Sequence, residues 1–332
     1  MTGTLRISAV WHLPALLREL GVDLEDTLAA AHLQPGIFDE PDNPITYPEL
    51  QRLLLACEER SGRDDFGLLI GQRSRLAEMG LAGEAARCCS DVGEGLACFV
   101  EHFNLHDGAA TMALITEGGF TRFVYAIAEH GLSHTRHIQL GAVTIAFNIV
   151  QDLCGESWAP AVVTIACRSP LNARACQKFF RAPVRFDSDE SALVFERHWL
   201  DRALPPVSPT LRQDIAARVA AQERQLLADF PATVRRLMRK QLLFGQCSMD
   251  AVAAMLGMHR RTLDRRLQRH GLQYGDLIDS VKNDVARQLL RDTRLQVQQI
   301  AASLHFSTAA NFATAFRRWT GITPSEYRQS IG

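Results

Sequence analysis

No stretch of the chain strings together the roughly 18–20 uncharged apolar residues of a membrane helix, so no spanning segment is expected. Met1 to Arg18 lacks a basic region followed by an apolar run, and no secretory signal is expected there. None of the eight cysteines forms a CxxC pair, and no Cys/His spacing matches a zinc site. Cys57, Cys88, Cys89, Cys98, Cys154, Cys167, Cys176 and Cys247 are expected as reduced, mostly buried thiols of a cytoplasmic protein. Cys88 and Cys89 are adjacent, which suits an ordinary bridge poorly. Enzyme signatures are missing as well. There is no G-x-S-x-G elbow, no G-x-x-x-x-G-K-[ST] loop and no H-E-x-x-H. Gly93-Glu94-Gly95 has neither the strand nor the third glycine of a dinucleotide fingerprint. Carboxylates are plentiful, but no spacing pairs them, so no catalytic residue and no enzymatic activity are expected. Net charge is nearly absent too, at −1 over 332 residues.

That small number hides an asymmetry. Residues 231–332 hold 16 Lys and Arg against 7 Asp and Glu, a net of +9. Residues 1–230 hold 20 against 30, a net of −10. An acidic body with a basic tail points to a polyanion as the partner of the tail. The length suggests two domains at about 150 residues each. Hydrophobic residues at 47% and charged ones at 22% are the balance of a globular protein and exclude collagen, coiled-coil rods and wholesale disorder.

Residues 5–104 read as helices. Leu13, Leu16, Leu17 and Leu20 recur at helical spacing before Gly21, and Thr46 with Pro48 and Glu49 reads as a capped start for the stripe Leu50, Leu53, Leu54 and Cys57. The pattern then changes. Thr111–Thr116 and Phe120–Ala128 are β-prone runs around Gly118-Gly119, a hairpin signal. His134–Leu153 reads as a long helix, Ala161–Ala166 as a strand and Ala173–Phe180 as a helix. Val184–Phe186 and Ala192–Phe195 read as strands around an Asp187-Ser188-Asp189 turn. Strands mixed with helices in this order imply an α+β domain, a helical region plus a small mixed sheet, over 1–210. Pro205, Pro206 and Pro209 mark its end. A linker helix is expected over 211–230, and an all-α domain over 231–332.

That last segment carries one pattern twice. Met249–Leu256 is a short helix with Val252, Ala253 and Leu256 inward, Gly257 gives the turn, and His259–His270 is a second helix closed by Gly271. Leu263 and Leu267 point to the core, while Arg260, Arg261, Asp264, Arg265, Arg266 and Arg269 occupy the other faces. This is a helix-turn-helix over 249–270. A second is expected over 297–319, with Val297–Leu304, a His305-Phe306-Ser307 turn, and Thr308–Trp319 carrying Phe312 and Phe316 inward. Between them Leu277–Asp292 reads as one linker helix, which would hold two reading heads on successive major-groove segments roughly 34 Å apart.

These residues resemble the AraC/XylS family of transcription regulators. The resemblance covers 231–330 and rests on Leu256-Gly257-Met258, Thr262-Leu263-Asp264-Arg265-Arg266-Leu267, Phe306, Phe316-Arg317-Arg318-Trp319-Thr320-Gly321 and Thr323-Pro324-Ser325-Glu326-Tyr327-Arg328. Residues 1–210 resemble the family's arabinose-binding-type N-terminal domain through Phe66-Gly67-Leu68 with Gly71, Gly80-Leu81 with Gly83, Trp158 with Pro160, and Phe180 through Phe186. The resemblance implies a cytoplasmic DNA-binding transcription activator or repressor. Its implied partners are double-stranded promoter DNA, RNA polymerase, a small-molecule effector and a second copy of the chain. A methyl-transferring relative would need a four-cysteine zinc site, which this sequence lacks. Two positions depart from the family pattern: His305 stands where the family has Gly, and Thr314 stands where it often has Arg.

The candidate DNA-binding residues are Arg260, Arg261, Thr262, Asp264, Arg265 and Arg269 in the first motif. In the second they are Thr308, Ala309, Ala310, Asn311, Thr314, Arg317 and Arg318. Arg261 and Arg265 share a helical face and suit guanine, whereas the short side chains of Ala309, Ala310 and Thr314 on the second helix cannot make the bidentate arginine–guanine contact. The second motif is therefore expected to position the protein through Arg317, Arg318 and phosphate. His102 with His106, and His130 with His134 and His137, have chelating spacings, but nothing completes either set, so no metal and no cofactor are expected. Basic residues are scarce at the apolar helical positions of 1–210, which favours an apolar or mixed effector over a phosphorylated one. Two alternatives stay open: a ligand-independent regulator whose N-terminal domain only dimerises or contacts polymerase, and a sequence-indifferent nucleoid-type binder.

Overall fold

The computed structural model describes residues 4–331 apart from 128, 130, 131, 133, 227–229 and 244–247. Expectations that concern Ala128, His130 and Cys247 lie outside the described residues.

The chain opens with β1 (Thr4–Arg6), α1 (Leu13–Glu19), α2 (Leu24–Ala30), β2 (Pro44–Thr46), α3 (Tyr47–Ser61), α4 (Phe66–Gly71), α5 (Gly80–Arg87) and α6 (Val92–His102). Local chemistry sets these ends. At the start of α3 the Thr46 backbone N–H donates to the Glu49 carboxylate at 2.8 Å, and the Glu49 N–H returns to the Thr46 hydroxyl at 3.4 Å. The expected stripe Leu50, Leu53, Leu54 and Cys57 is buried below it. One element differs from the helical reading of 5–104: β1 and β2 pair as an antiparallel ribbon. Three-residue strands carry no alternation long enough to be read.

A mixed sheet follows, as the α+β reading expects. β3 (Ala110–Glu117) and β4 (Phe120–Ile127) form the hairpin, with Gly118 and Gly119 both at positive φ, a turn whose twist matches the strands. After α7 (Arg136–Cys154) come β5 (Val162–Thr164), α8 (Ala173–Phe180), β6 (Val184–Arg185) and β7 (Ser191–Glu196). The strand order is β3-β4-β7-β5-β6, and only β5 and β6 are parallel. β7 thus enters between β4 and β5, a long-range pairing that local pattern does not encode. α7 is buried along most of its length and crosses α4 closely. The resemblance residues Gly67 and Gly71 explain this crossing. A Cβ on Gly67 would lie 2.3 Å from the His137 carbonyl oxygen, and one on Gly71 would lie 2.8 Å from that of Gly141.

Beyond Ala203, which bridges Asp91, come the helices α9 (Pro209–Leu226), α10 (Phe230–Leu243), α11 (Met249–Met255), α12 (Arg260–Arg269), α13 (Tyr274–Asp292), α14 (Val297–Ser303), α15 (Ala309–Thr320) and α16 (Pro324–Ile331). Two cores form here. Val234 and Met238 of α10 pack with Val252, Leu263, Leu267, Leu277 and Val281. Leu289 and Leu290 pack with Ile300, Leu304, Phe312, Phe316 and Tyr327. α13 therefore serves one core with its first half and the other with its second.

The helices are tied to the sheet region at several points. α10 packs on β3. The Thr135 hydroxyl donates to Asp292 at the end of α13, and the Arg294 N–H donates to Asp187 at 2.7 Å. Ala166, beyond β5, joins the second helical core.

Candidate nucleic-acid interface

The first helix pair is built from caps and a turn. Ser248 caps α11 by accepting from the Ala251 N–H at 3.1 Å. Gly257 sits at φ 61° in the turn, and the Met258 N–H returns to the Ala253 carbonyl at 3.0 Å. Leu263 and Leu267 are fully buried, which turns the opposite face of α12 outward. That face shows Arg261 and Arg265, with Arg269 beside them, all three exposed. Among the described residues none of the three has a carboxylate partner.

The other first-pair candidates are paired or partly buried. Arg260 faces Asp250 at 3.5 Å. Asp264 is half-buried and accepts from Gln268 at 3.0 Å, and Thr262 is half-buried. Arg266 is exposed and lies over the Phe230 ring at 5.5 Å.

The second pair has the same frame with a different surface. Thr308 caps α15, accepting from the Asn311 N–H at 3.1 Å, and the Asn311 amide donates to Ser307 at 2.7 Å. Phe312 and Phe316 are fully buried. Ala310, Asn311, Thr314 and Arg317 are exposed, and Ala309 is half-buried. Arg318 is exposed but paired with Asp279 on α13. The turn residue His305 takes φ 58°, the conformation that favours glycine. Its side chain does what glycine could not: Nε2 lies 2.9 Å from the Leu242 carbonyl oxygen near the end of α10. A carbonyl only accepts, so the proton sits on Nε2. The unusual residue thus fastens the second turn to the helix that braces the first pair.

A small pocket lies within the N-terminal region. Its volume is about 70 Å³ and its walls are mostly apolar. One corner is polar. The Tyr47 hydroxyl donates to Asp107 Oδ2 at 2.7 Å and lies 2.6 Å from the Tyr125 hydroxyl. Burial raises the Asp107 carboxyl to about 6, with the Tyr47 bond opposing. Burial also lowers the neighbouring His106 to about 3, so its ring is neutral at pH 7, and its Nδ1 has no hydrogen-bond partner. Of these groups the sequence pattern marked only His106, through its spacing to His102, because a single tyrosine or aspartate carries no spacing signal.

Two of the spaced histidines, His102 and His137, are held by hydrogen bonds. His102 Nδ1 meets Glu223 at 2.8 Å. His137 accepts from the Gly67 N–H at 3.2 Å and contacts Glu58 at 2.7 Å. Among the described residues no group of three or more His, Cys, Asp or Glu could hold a metal ion. Five of the seven described cysteines are buried, and Cys89 and Cys98 are half-buried. No helix among the described residues is long and apolar enough to cross a membrane.

Matches are found among family models, known sequences and solved structures. The model of the arabinose-binding domain of AraC transcription regulators, N-terminal, matches residues 21–204, and a helix-turn-helix domain model matches residues 252–330. The chain is 27% identical over 326 residues to the HTH-type transcriptional regulator VirS of Mycobacterium tuberculosis, covering 98% of this chain and 96% of that one. It is 25% identical over 321 residues to the ornithine utilization regulator of Pseudomonas aeruginosa, covering 95% and 93%. Among solved structures, the transcriptional regulator CdpR of Pseudomonas aeruginosa aligns over 94% of this chain and 97% of its own, at 23% identity and a TM-score of 0.45.

Proposed function

The chain belongs to the AraC family of transcription regulators, and from that premise we propose that it binds specific promoter sequences through two helix-turn-helix units under the control of a small metabolite. The units are 249–270 and 297–319, within a DNA-binding domain over 231–332. α13 is the linker that presents α12 and α15 to successive major-groove segments on one DNA face. Arg261 and Arg265 read bases, and Arg269 contacts phosphate. Arg317, with backbone groups at the start of α15, positions the protein. The observation that carries this reading is the row of exposed arginines without carboxylate partners on α12. Cations without partners on a face turned away from the core suit an anionic groove, and several phosphate contacts make binding steeply salt-dependent.

The N-terminal region over 1–210 senses the effector. The apolar pocket with its Tyr47–Asp107–Tyr125 corner supports a compact, uncharged or weakly polar ligand there. Such a ligand changes promoter occupancy only by binding two conformations unequally.

The test is fluorescence anisotropy on DNA recovered by genomic footprinting, against random duplex at physiological salt. Binding at least about a thousandfold tighter to the recovered promoter supports the reading. Equal affinity for both supports a sequence-indifferent binder. A thermal-shift screen of metabolites tests the sensor: if no compound stabilises the chain, the N-terminal region acts without a ligand.

A further inference from the structure

A second cavity, of about 260 Å³, lies between the sheet and the C-terminal helices. One wall comes from β4, β7 and α7. The other comes from α10, α13 and the turn between α14 and α15. Its distinguishing group is Arg239 of α10, which is only 3% exposed. Arg239 Nη2 donates to Gln288 Oε1 at a long 3.3 Å, and its Nε is buried with no hydrogen-bond partner.

A guanidinium in this position is costly to keep. Burial lowers its pKa to about 10 even though Asp284 opposes the shift. An apolar side chain of similar length would fill the same space without that penalty. What a guanidinium alone offers is a planar fork of donors matched to a carboxylate. The cavity supplies room for the rest of such a molecule, since a cavity of about 150 Å³ already holds benzene. The remaining charges narrow the ligand. Glu190 is held by Arg122 at 2.8 Å, whereas Asp189 is exposed at the rim. A second negative group on the ligand would meet Asp189.

We propose that this cavity binds a small organic monocarboxylate, with the acid group on Arg239 and the body between the sheet and α13. The site is distinct from the apolar pocket and does not rest on the DNA-binding reading. Only its consequence for promoter occupancy does. That consequence follows from the walls. Leu242 and His305 line the cavity and are bonded to each other, and Gln288 and Leu289 belong to the helix between the two pairs. Tyr125 lines both cavities. A bound carboxylate therefore clamps the sheet to the supports of both reading helices.

The experiment is thermal shift and calorimetry on the full-length chain. The probes are benzoate, hexanoate and 5-aminopentanoate, with benzamide and hexanamide as uncharged controls. At millimolar concentration at least one carboxylate is expected to raise Tm by about 2–4 °C, and its matched amide by much less. Arg239→Met removes the charge at similar length, and is expected to fold and to weaken carboxylate binding at least about tenfold. Should that variant fail to fold, Arg239→Lys keeps a charge without the fork and is expected to bind several-fold more weakly. The proposal is overturned if no carboxylate shifts Tm, if amides shift it equally, or if the Arg239 variants respond like the parent. Promoter affinity of the ligand-free chain is measured alongside. Its absence would overturn the DNA-binding reading and leave the calorimetry to judge this site.

Discussion

The second helices of the two C-terminal pairs share a buried spacing and differ in what they show to solvent. α12 buries Leu263 and Leu267, and α15 buries Phe312 and Phe316. Outside, α12 presents Arg261, Arg265 and Arg269, which have no carboxylate partner among the described residues, while α15 presents Ala310, Asn311, Thr314 and Arg317. The supports differ as well. The first pair reaches the sheet region through α10, whereas the second pair's core takes in Ala166 and is flanked by Asp292 and Arg294, both bonded to that region. One scaffold, used twice, thus carries a long-armed cationic face that suits base reading. It also carries a short-armed face, more firmly docked, that suits positioning.

The largest expected effect tests the docking half of this contrast. Burial raises the Asp292 carboxyl to about 6 from an ordinary 3.8, against its bond from Thr135. The folded chain therefore holds this proton more tightly than the unfolded chain. Stability contributed here is lost as pH climbs from about 4 to 6, and the deficit is complete above that range. Asp292→Asn is expected to stabilise the chain at pH 7.5 by up to about 3 kcal/mol, with no gain near pH 4. Asp107 shifts in the same direction and is common to parent and variant, so it cancels in the difference. Melting curves at the two pH values check this; an equal effect at both would show that the buried carboxyl does not govern the docking.

Arg265→Ala comes next, at about 1–3 kcal/mol of discrimination at one base position. Binding arrays with every single-base change of the promoter would show that position flattened. Uniform weakening across the array would make Arg265 a phosphate contact. His305→Ala keeps the positive φ and loses the bond to Leu242, a cost of about 1 kcal/mol. His305→Gly loses the same bond and relieves the backbone, so it should fall within about 1 kcal/mol of the parent. Urea unfolding of both variants separates bond from strain. The smallest effect is Arg317→Ala, which should weaken all DNA sequences alike and reduce the salt slope by about 1.

Much of this contrast is legible in the sequence because it is local. Leucine and phenylalanine pairs at i, i+4 announce the buried faces, and Gly257, Gly271 and Gly321 announce the helix ends. The Gly118-Gly119 hairpin and the helix at Ala173–Phe180 are readable for the same reason. What escapes is non-local. The placement of β7 between β4 and β5 depends on packing, and the β1–β2 ribbon is too short to alternate. Arg239 sits in a basic helix among Arg235, Arg236 and Lys240, and only the tertiary fold decides which of them is buried against the sheet. His305 is visible as a departure from the family pattern, but its partner lies 63 residues away.

On the proposed reading, α12 reads bases while α15 positions the protein. The most direct measurement is the ratio of promoter to random-DNA affinity in Arg265→Ala and Arg317→Ala, by anisotropy at one salt concentration. The expected ratio for Arg265→Ala is about tenfold or more below the parent, and Arg317→Ala is expected to leave the ratio unchanged while binding both DNAs more weakly. The reverse pattern, or an equal loss of ratio in both, would contradict it.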